Sequence, residues 1–211
     1  VNGLIRGVIL EGLSTTGKTS VLSALKRVQS LSSHAERTMI ALSEHYSQIL
    51  HSVHGVLWSL DQNEHIQLLN QHIAYLEQLH GWIESLGQTK PSNGIFFILE
   101  RFHLNHRAAF ADHPKIEALE QRLLRLNAKC VLLTLSPKAV PTRFVESRGE
   151  GWRSYVMANH PSADDACRKF VEDQQRLRTC MKQSLIPAIE INTDEAAWDD
   201  YANQILRALD E

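Results

Sequence analysis

The apolar residues of this chain gather in short, nearly unbroken runs separated by longer stretches of helical spacing. Four runs stand out, Leu4–Leu10, Ile95–Leu99, Cys130–Leu135 and Ala188–Ile191, and Thr38–Leu42 is a weaker fifth. Runs this short, without apolar/polar alternation, predict strands covered on both faces, the habit of a parallel sheet. Between them, Val21, Leu22, Leu25 and Val28 fall on one helical stripe, and Ile116, Leu119, Leu123 and Leu126 on another. Strand and helix in alternation predict an α/β fold of three layers, a five-stranded parallel sheet with helices on both faces. No repeat, low-complexity tract or linker divides the sequence, so residues 1–211 are read as a single domain.

The widest gap between strands, about 44–86, reads as a helical insertion. Ile49, Val53, Val56, Leu57 and Leu60 keep helical spacing, and so do Ile66, Leu69, Ile73, Leu76, Leu79 and Ile83. Two helices are expected there, parted near Asp61-Gln62-Asn63, with Asp61 or Asn63 as a cap. No lysine or arginine occurs between Arg37 and Lys90, yet six of the eleven histidines do.

Composition narrows the partners. A net charge of −2 argues against a nucleic-acid footprint over the whole chain. No apolar run is long enough to span a bilayer, and the first residues lack the plan of a secretory signal. The three cysteines lack metal-type spacing and suit a reducing compartment. The expectation is a cytoplasmic protein that needs neither nucleic acid nor membrane, acts on a small-molecule acceptor and allows a homodimer. His51 and His54 are three apart, but the carboxylates around them form no ligand pattern, so they are read as surface residues.

The chemistry begins at "EGLSTTGKTS". Gly12-Leu13-Ser14-Thr15-Thr16-Gly17-Lys18-Thr19 fits G-x4-G-K-[ST], between an apolar run and a helical stripe. Glycines let successive amides turn inward on an anion, and the next helix aims its N-terminus at the same phosphates. Gly12, Ser14, Thr15, Thr16, Gly17, Lys18, Thr19 and Ser20 are the expected ATP-binding residues. Lys18 spans the outer phosphates and Thr19 ligates Mg2+. No guanine-reading Asn/Thr-Lys-x-Asp sequence follows. The open alternatives are a compact kinase and a non-catalytic ATP-binding regulatory domain.

Glu100 and Arg101 close the third apolar run, at the strand edge where open sheets hold ligands. Glu100 is placed in the magnesium shell, and Arg101 on a phosphate or acceptor oxygen. Arg143 and Arg148 lie in a lid of about 137–160 that loosens at Gly149 and Gly151. Cations on a closing segment suit phosphoryl transfer, which spreads charge over three oxygens.

These segments together resemble the deoxynucleoside kinase and thymidylate kinase branch of P-loop phosphotransferases. Glu11-Gly12 is similar to that group's entry to its loop, and "ERFHLNHRAAFA" to its E-R-S-x-x-S-D-R-Y-x-F-A stretch. Arg143 to Glu150 is similar to its R-x4-R-G-R lid, and "IEINTDE" to its last strand and adenine-side loop. The resemblance implies the P-loop NTPase fold and catalytic roles for five residues. Glu11 is the base, Lys18 holds phosphate, Arg101 braces Glu11 and the acceptor, and Arg143 and Arg148 form the lid. Ser14, His106 and Glu150 depart from it, where the group has a loop aspartate, a base-reading aspartate and a third lid arginine.

The expected activity is ATP- and magnesium-dependent transfer to a hydroxyl of a small molecule, with a thymidylate-kinase-like monophosphate kinase as the alternative. In the resembling group the insertion walls the acceptor. Its lack of cations, with only Arg101 and Arg107 nearby as donors, favours a neutral or cationic acceptor such as a nucleoside. Tyr46, Trp58, Tyr75 and Trp82 are placed either against a ring or in the core.

Overall fold

In chain order the elements are β1 (Ile5–Glu11), α1 (Lys18–Leu31), β2 (Thr38–Leu42), β3 (Leu50–Val53), β4 (Val56–Ser59), α2 (Gln62–Ser85) and β5 (Ile95–Glu100). Then come α3 (His103–Ala109), α4 (His113–Arg125), β6 (Ala128–Thr134), α5 (Glu150–Asn159), α6 (Ala163–Gln183), β7 (Ala188–Asn192) and α7 (Trp198–Asp210). They are seen in a computed structural model that describes residues 4–32, 35–54, 56–110 and 113–210.

Five strands form one parallel sheet in the order β2-β5-β1-β6-β7. The apolar runs land in it because both faces are covered. Ile5, Ile9, Phe97, Leu99, Cys130 and Leu132 join α2, α4 and α6 on one side. Val8, Leu10, Phe96, Ile98, Val131 and Leu133 join α1 and α7 on the other. The central strand β1 pairs Ile9 with Leu99 on one flank and with Cys130 on the other, bringing the carboxyl ends of β1, β5 and β6 to one edge. Among the described residues no helix is long and apolar enough to cross a membrane.

The insertion departs from its expected form. It holds one long helix, α2, preceded by a two-stranded antiparallel hairpin of β3 and β4. The cause is the capping box at Asp61. Its carboxylate accepts from the Asn63 and Glu64 amides at 2.7 and 2.9 Å, and the Glu64 carboxylate returns to the Asp61 amide at 2.8 Å. A helix started so firmly at Gln62 leaves residues 50–59 as a short segment whose two valines and one tryptophan suit a strand better. The Leu60 amide closes the hairpin on the Ile49 carbonyl at 2.9 Å. Leu50, Val56, Leu57 and Trp58 are exposed, as are Tyr46, Tyr75 and Trp82, so none of the four expected ring residues is core.

Arg107 also differs from expectation. Its guanidinium is buried and grips the Glu120 carboxylate of α4 at 2.6 and 2.9 Å, while Glu120 also accepts from the Leu185 amide at 3.0 Å. The arginine joins α3 to α4 and is not an acceptor ligand. Removing one partner of a buried pair strands the other, so Arg107→Leu is expected to cost about 3–5 kcal/mol in urea unfolding. Arg107→Leu/Glu120→Leu should recover much of that loss, and an undiminished stability of the single variant would contradict the pairing.

Candidate active site

The loop between β1 and α1 sits where the sequence reading put it. Gly12 has φ 141°, and a Cβ there would lie 2.6 Å from the Leu133 carbonyl oxygen; Gly17, φ 94°, has no room because the Trp198 ring is 2.5 Å from the same point. Both glycines therefore answer to close approach as well as to torsion. Thr193 pins the loop from behind, donating its hydroxyl to the Thr16 carbonyl at 2.7 Å.

Lys18 is buried at the start of α1. Its ammonium donates to the carbonyls of Gly12 at 3.1 Å and Leu13 at 3.0 Å, and lies 3.3 Å from Glu44 Oε2. Burial, reinforced by the nearby Arg101 charge, lowers its pKa to about 8, against the pull of Glu44. Glu44 opens a short 3-10 turn, Glu44–Tyr46, just beyond β2. Burial raises its carboxyl, but Lys18 and Arg101 outweigh that and hold it below its ordinary value. Arg101 completes the cluster, with Nε 3.0 Å from Glu44 Oε2 and a guanidinium nitrogen donating to Ser14 Oγ at 2.8 Å. Its backbone is left-handed, φ 48°, in a non-glycine residue straight after β5. Glu44 is a candidate functional residue that the sequence reading does not single out. Its place between two cations was hidden because 56 residues separate it from Glu100-Arg101.

Glu100 is buried at the end of β5. Its Oε2 accepts from the Glu44 amide at 3.1 Å, while Oε1 has no hydrogen-bond partner among the described residues. Burial pushes its carboxyl up, and the Glu44 charge adds to the push. An orphaned carboxylate oxygen beside a phosphate loop fits a divalent cation, and Thr19 is exposed on the first turn of α1. Ser20 follows on α1 and is partly buried.

Glu11 has a different setting. One oxygen, Oε1, accepts from the amides of Phe102 and Leu104, both at 2.9 Å, at the start of α3. His103 Nδ1 lies 3.4 Å from that oxygen, but burial lowers its pKa to about 4, so the ring is neutral. Burial raises the Glu11 carboxyl to about 7 although the two amides oppose it. That value suits a base near neutral pH, yet the hydrogen bonds make Glu11 a clasp between β1 and α3.

The lid begins as a π-helical turn, Pro141–Glu146, and resumes as α5 after Gly149, where φ is 78°. Gly151 lies within α5. Arg143 reaches back to the loop, donating to the carbonyls of Thr193 at 2.9 Å, Asp194 at 3.4 Å and Thr15 at 3.4 Å, and lies over the Trp198 ring. Arg148 is exposed and stacks on Trp152. The structure thus gathers Lys18, Arg101, Glu100 and Glu44, brings Arg143 to the loop's rear side and leaves Arg148 on the lid surface.

A cavity of about 520 Å3 opens on the front of the loop, with Glu11, Leu13, Ser14 and Arg101 among the residues that line it. Its walls are α3, α6 and the lid. The insertion contributes no residue to its lining; His45, Tyr46, His51 and Leu60 instead line a separate cavity with α2. His106, expected to stand where related kinases read a base, is buried elsewhere. Phe144 and Phe170 give the cavity an aromatic side, and Lys169 and Arg176 join Arg101 as cations around Asp173. Among the described residues no group of three or more side chains suits a resident metal ion.

No protein-family model and no curated protein sequence matches this chain. Solved structures do. The YorR protein of Bacillus subtilis, in complex with phosphorylated GDP, is 15% identical with a TM-score of 0.59, covering 97% of this chain and 96% of that one. A shikimate kinase from Bacteroides thetaiotaomicron is 12% identical with a TM-score of 0.50, covering 98% and 99%. A sugar kinase from Janibacter sp. is 10% identical, also with a TM-score of 0.50, covering 98% and 95%. The five-stranded parallel sheet with helices on both faces is the P-loop NTPase fold that these structures share.

Glu11 yields a pH prediction. Its folded carboxyl, at about 7, holds a proton more tightly than an unfolded one near 4.5, so stability present below pH 4.5 is lost as pH rises to 7. The gap corresponds to roughly 3 kcal/mol. Urea unfolding of Glu11→Gln should therefore be flatter between pH 5 and 7.5 than that of the natural protein. Parallel profiles would show that the carboxyl is not held protonated.

Proposed function

We propose that this protein is an ATP- and magnesium-dependent phosphotransferase that acts on a hydroxyl of a small molecule, with a nucleoside-like acceptor. The observation that carries the reading is the Lys18–Glu44–Arg101–Ser14 cluster on the loop, beside a cavity wide enough for a small molecule. When bound, ATP with Mg2+ supplies the transferable phosphoryl group and a charge that polarises it. The chain's part is to position and to move a proton. Amides of residues 12–19 and the Lys18 ammonium hold phosphate, Thr19 and Glu100 face the cation, and Arg101 orients the acceptor oxygen. As that oxygen forms its bond to phosphorus, the bond to the leaving diphosphate breaks and the hydroxyl proton passes to a carboxylate.

Two carboxylates compete for that proton. Glu11 lines the cavity and Glu44 meets it only through Arg101, yet Glu44 is favoured because it touches both Lys18 and Arg101, whereas the hydrogen bonds of Glu11 face α3. Arg143, beside the loop and the Thr193-Asp194 carbonyls, belongs with the donor, and Arg148 reaches the phosphates by lid closure.

A second reading, a nucleoside monophosphate acceptor, draws on the cavity wall. Arg101, Lys169 and Arg176 against Asp173 and a half-ionised Glu11 leave it net cationic, which suits an acceptor carrying its own anion. The fold admits either class. The Bacillus subtilis protein was seen with phosphorylated GDP, and shikimate and sugar kinases share the architecture.

The test is ADP release from ATP and Mg2+ across nucleosides, their monophosphates and other alcohols. Acceptor-dependent release is expected, and ATP binding without release for any acceptor would favour the regulatory alternative. With the acceptor in hand, Glu44→Gln should cut the single-turnover rate about 10²–10⁴-fold while Mg·ATP still binds. Glu11→Gln should lose less than about tenfold; the reverse order would return the base to Glu11. Lys18→Ala should abolish productive Mg·ATP binding in a folded protein, and unchanged affinity by calorimetry would count against the loop's role.

A further inference from the structure

Behind Glu44 lies a buried pair of histidines that the transfer chemistry does not use. His65, in the first turn of α2, and His106, in α3, are both fully buried. Their rings stack at 18° with centroids 5.2 Å apart, and the two Nδ1 atoms are 3.0 Å apart. The other nitrogen of His65, Nε2, is 2.8 Å from the Ser47 carbonyl oxygen. Ser47 closes the turn that Glu44 opens, its amide donating to the Glu44 carbonyl at 3.2 Å. Its hydroxyl donates to the Glu100 carbonyl.

The proton positions follow from the partners. A carbonyl oxygen only accepts, so His65 Nε2 carries a proton. In a neutral ring that leaves Nδ1 bare, and the 3.0 Å contact then requires His106 Nδ1 to be the donor. Burial holds the His65 pKa below its ordinary value against the Ser47 carbonyl, with His51 and His72 acting in the same direction as burial, which agrees with a neutral ring. The chain of contacts is directional: His106 donates to His65, His65 donates to Ser47, and Ser47 closes the turn that presents Glu44 to Lys18.

We propose that His65 is a positioning residue, which fixes the Glu44 turn through the Ser47 carbonyl, and that His106 sets the His65 tautomer able to do so. The inference rests on the assignment of Glu44 above. It also gives one histidine of the lysine-free insertion a use: through His65, α2 brings a donor to the turn without bringing a second charge near Lys18.

Two conservative variants separate positioning from simple packing. His65→Gln keeps a donor at the place of Nε2 and loses the acceptor facing His106. His65→Asn keeps an acceptor near the place of Nδ1 and loses the bond to Ser47. Each gives up one buried hydrogen bond, so their thermal stabilities should fall by similar amounts. The readout is basal hydrolysis of Mg·ATP, in which water stands in for the acceptor hydroxyl. His65→Asn should slow it by about tenfold to a hundredfold, as misplaced catalytic groups do, while His65→Gln stays within about threefold of the natural protein. In a Glu44→Gln background, His65→Asn should cost nothing more, since both act through one carboxylate. Equal losses in the two variants, or additive losses with Glu44→Gln, would overturn the proposal. Nitrogen-15 spectra of the natural protein supply a test that needs no activity. They should show His65 protonated on Nε2 and His106 on Nδ1, and the opposite tautomers or an imidazolium His65 would sink the relay. A protein that releases ADP neither to water nor to any acceptor would instead fail the phosphotransfer reading, and the spectra would still decide the relay.

Discussion

An ammonium group buried at the mouth of a phosphate loop needs negative partners, and the active-site end of this molecule is organised around that need. Lys18 cannot stay charged out of water alone. Its partners are two carbonyls of its own loop and the Glu44 carboxylate. The carbonyls cost little, since the loop already curls around the side chain. Glu44 must be delivered from across the sheet edge, so the turn after β2 has to be anchored. Glu100 does this through the Glu44 amide and through its own carbonyl, which accepts from Ser47.

The same constraint divides the carboxylates. Glu44 sits between two cations and is held ionised, whereas Glu11 and Glu100 are pushed towards the neutral form by burial. One carboxylate thus answers the lysine, one clasps α3 and one retains an oxygen without a donor. On the proposed reading, a triphosphate in the loop would bring new anions to Lys18 and compete with Glu44 for it, and a cation would meet the Glu100 oxygen that has no donor.

The sheet was legible in the sequence because strands covered on both faces have no polar alternation to blur them, as Ile95–Leu99 and Cys130–Leu135 show. The loop was legible because backbone geometry restricts its residue types, and Gly12 and Gly17 have no space for a Cβ. Glu44 was only half legible. A lone glutamate after a weak strand carries no local signal, and its meaning comes from long-range contacts with Lys18 and Arg101. The hairpin was missed for the opposite reason: Ile49, Val53, Val56 and Leu60 satisfy helical spacing by accident, while the capping box at Asp61 decides where the helix starts. Arg107 was misassigned because nothing in sequence tells a buried partner of Glu120 from a ligand donor.

The cation-free insertion illustrates how charge patterns mislead when the wall they line is assumed. The absence of lysine and arginine from 38 to 89 is real, but those residues do not line the cavity on the loop. That cavity is bordered instead by α6, where Lys169, Asp173 and Arg176 lie four and three residues apart on one helical face. On the exposed side of a helix such a triplet is worth little to stability. Where it borders a cavity its value changes, because a ligand that displaces water from the cavity lowers the local dielectric and strengthens each contact. Asp173 already engages Lys169, and Arg176 lies 4.0 Å from it, so an entering anion would compete with one carboxylate for two cations. The insertion is then free to serve the other side of the chemistry. It holds the Glu44 turn with a neutral histidine donor and leaves the field at the loop to Lys18 and Arg101.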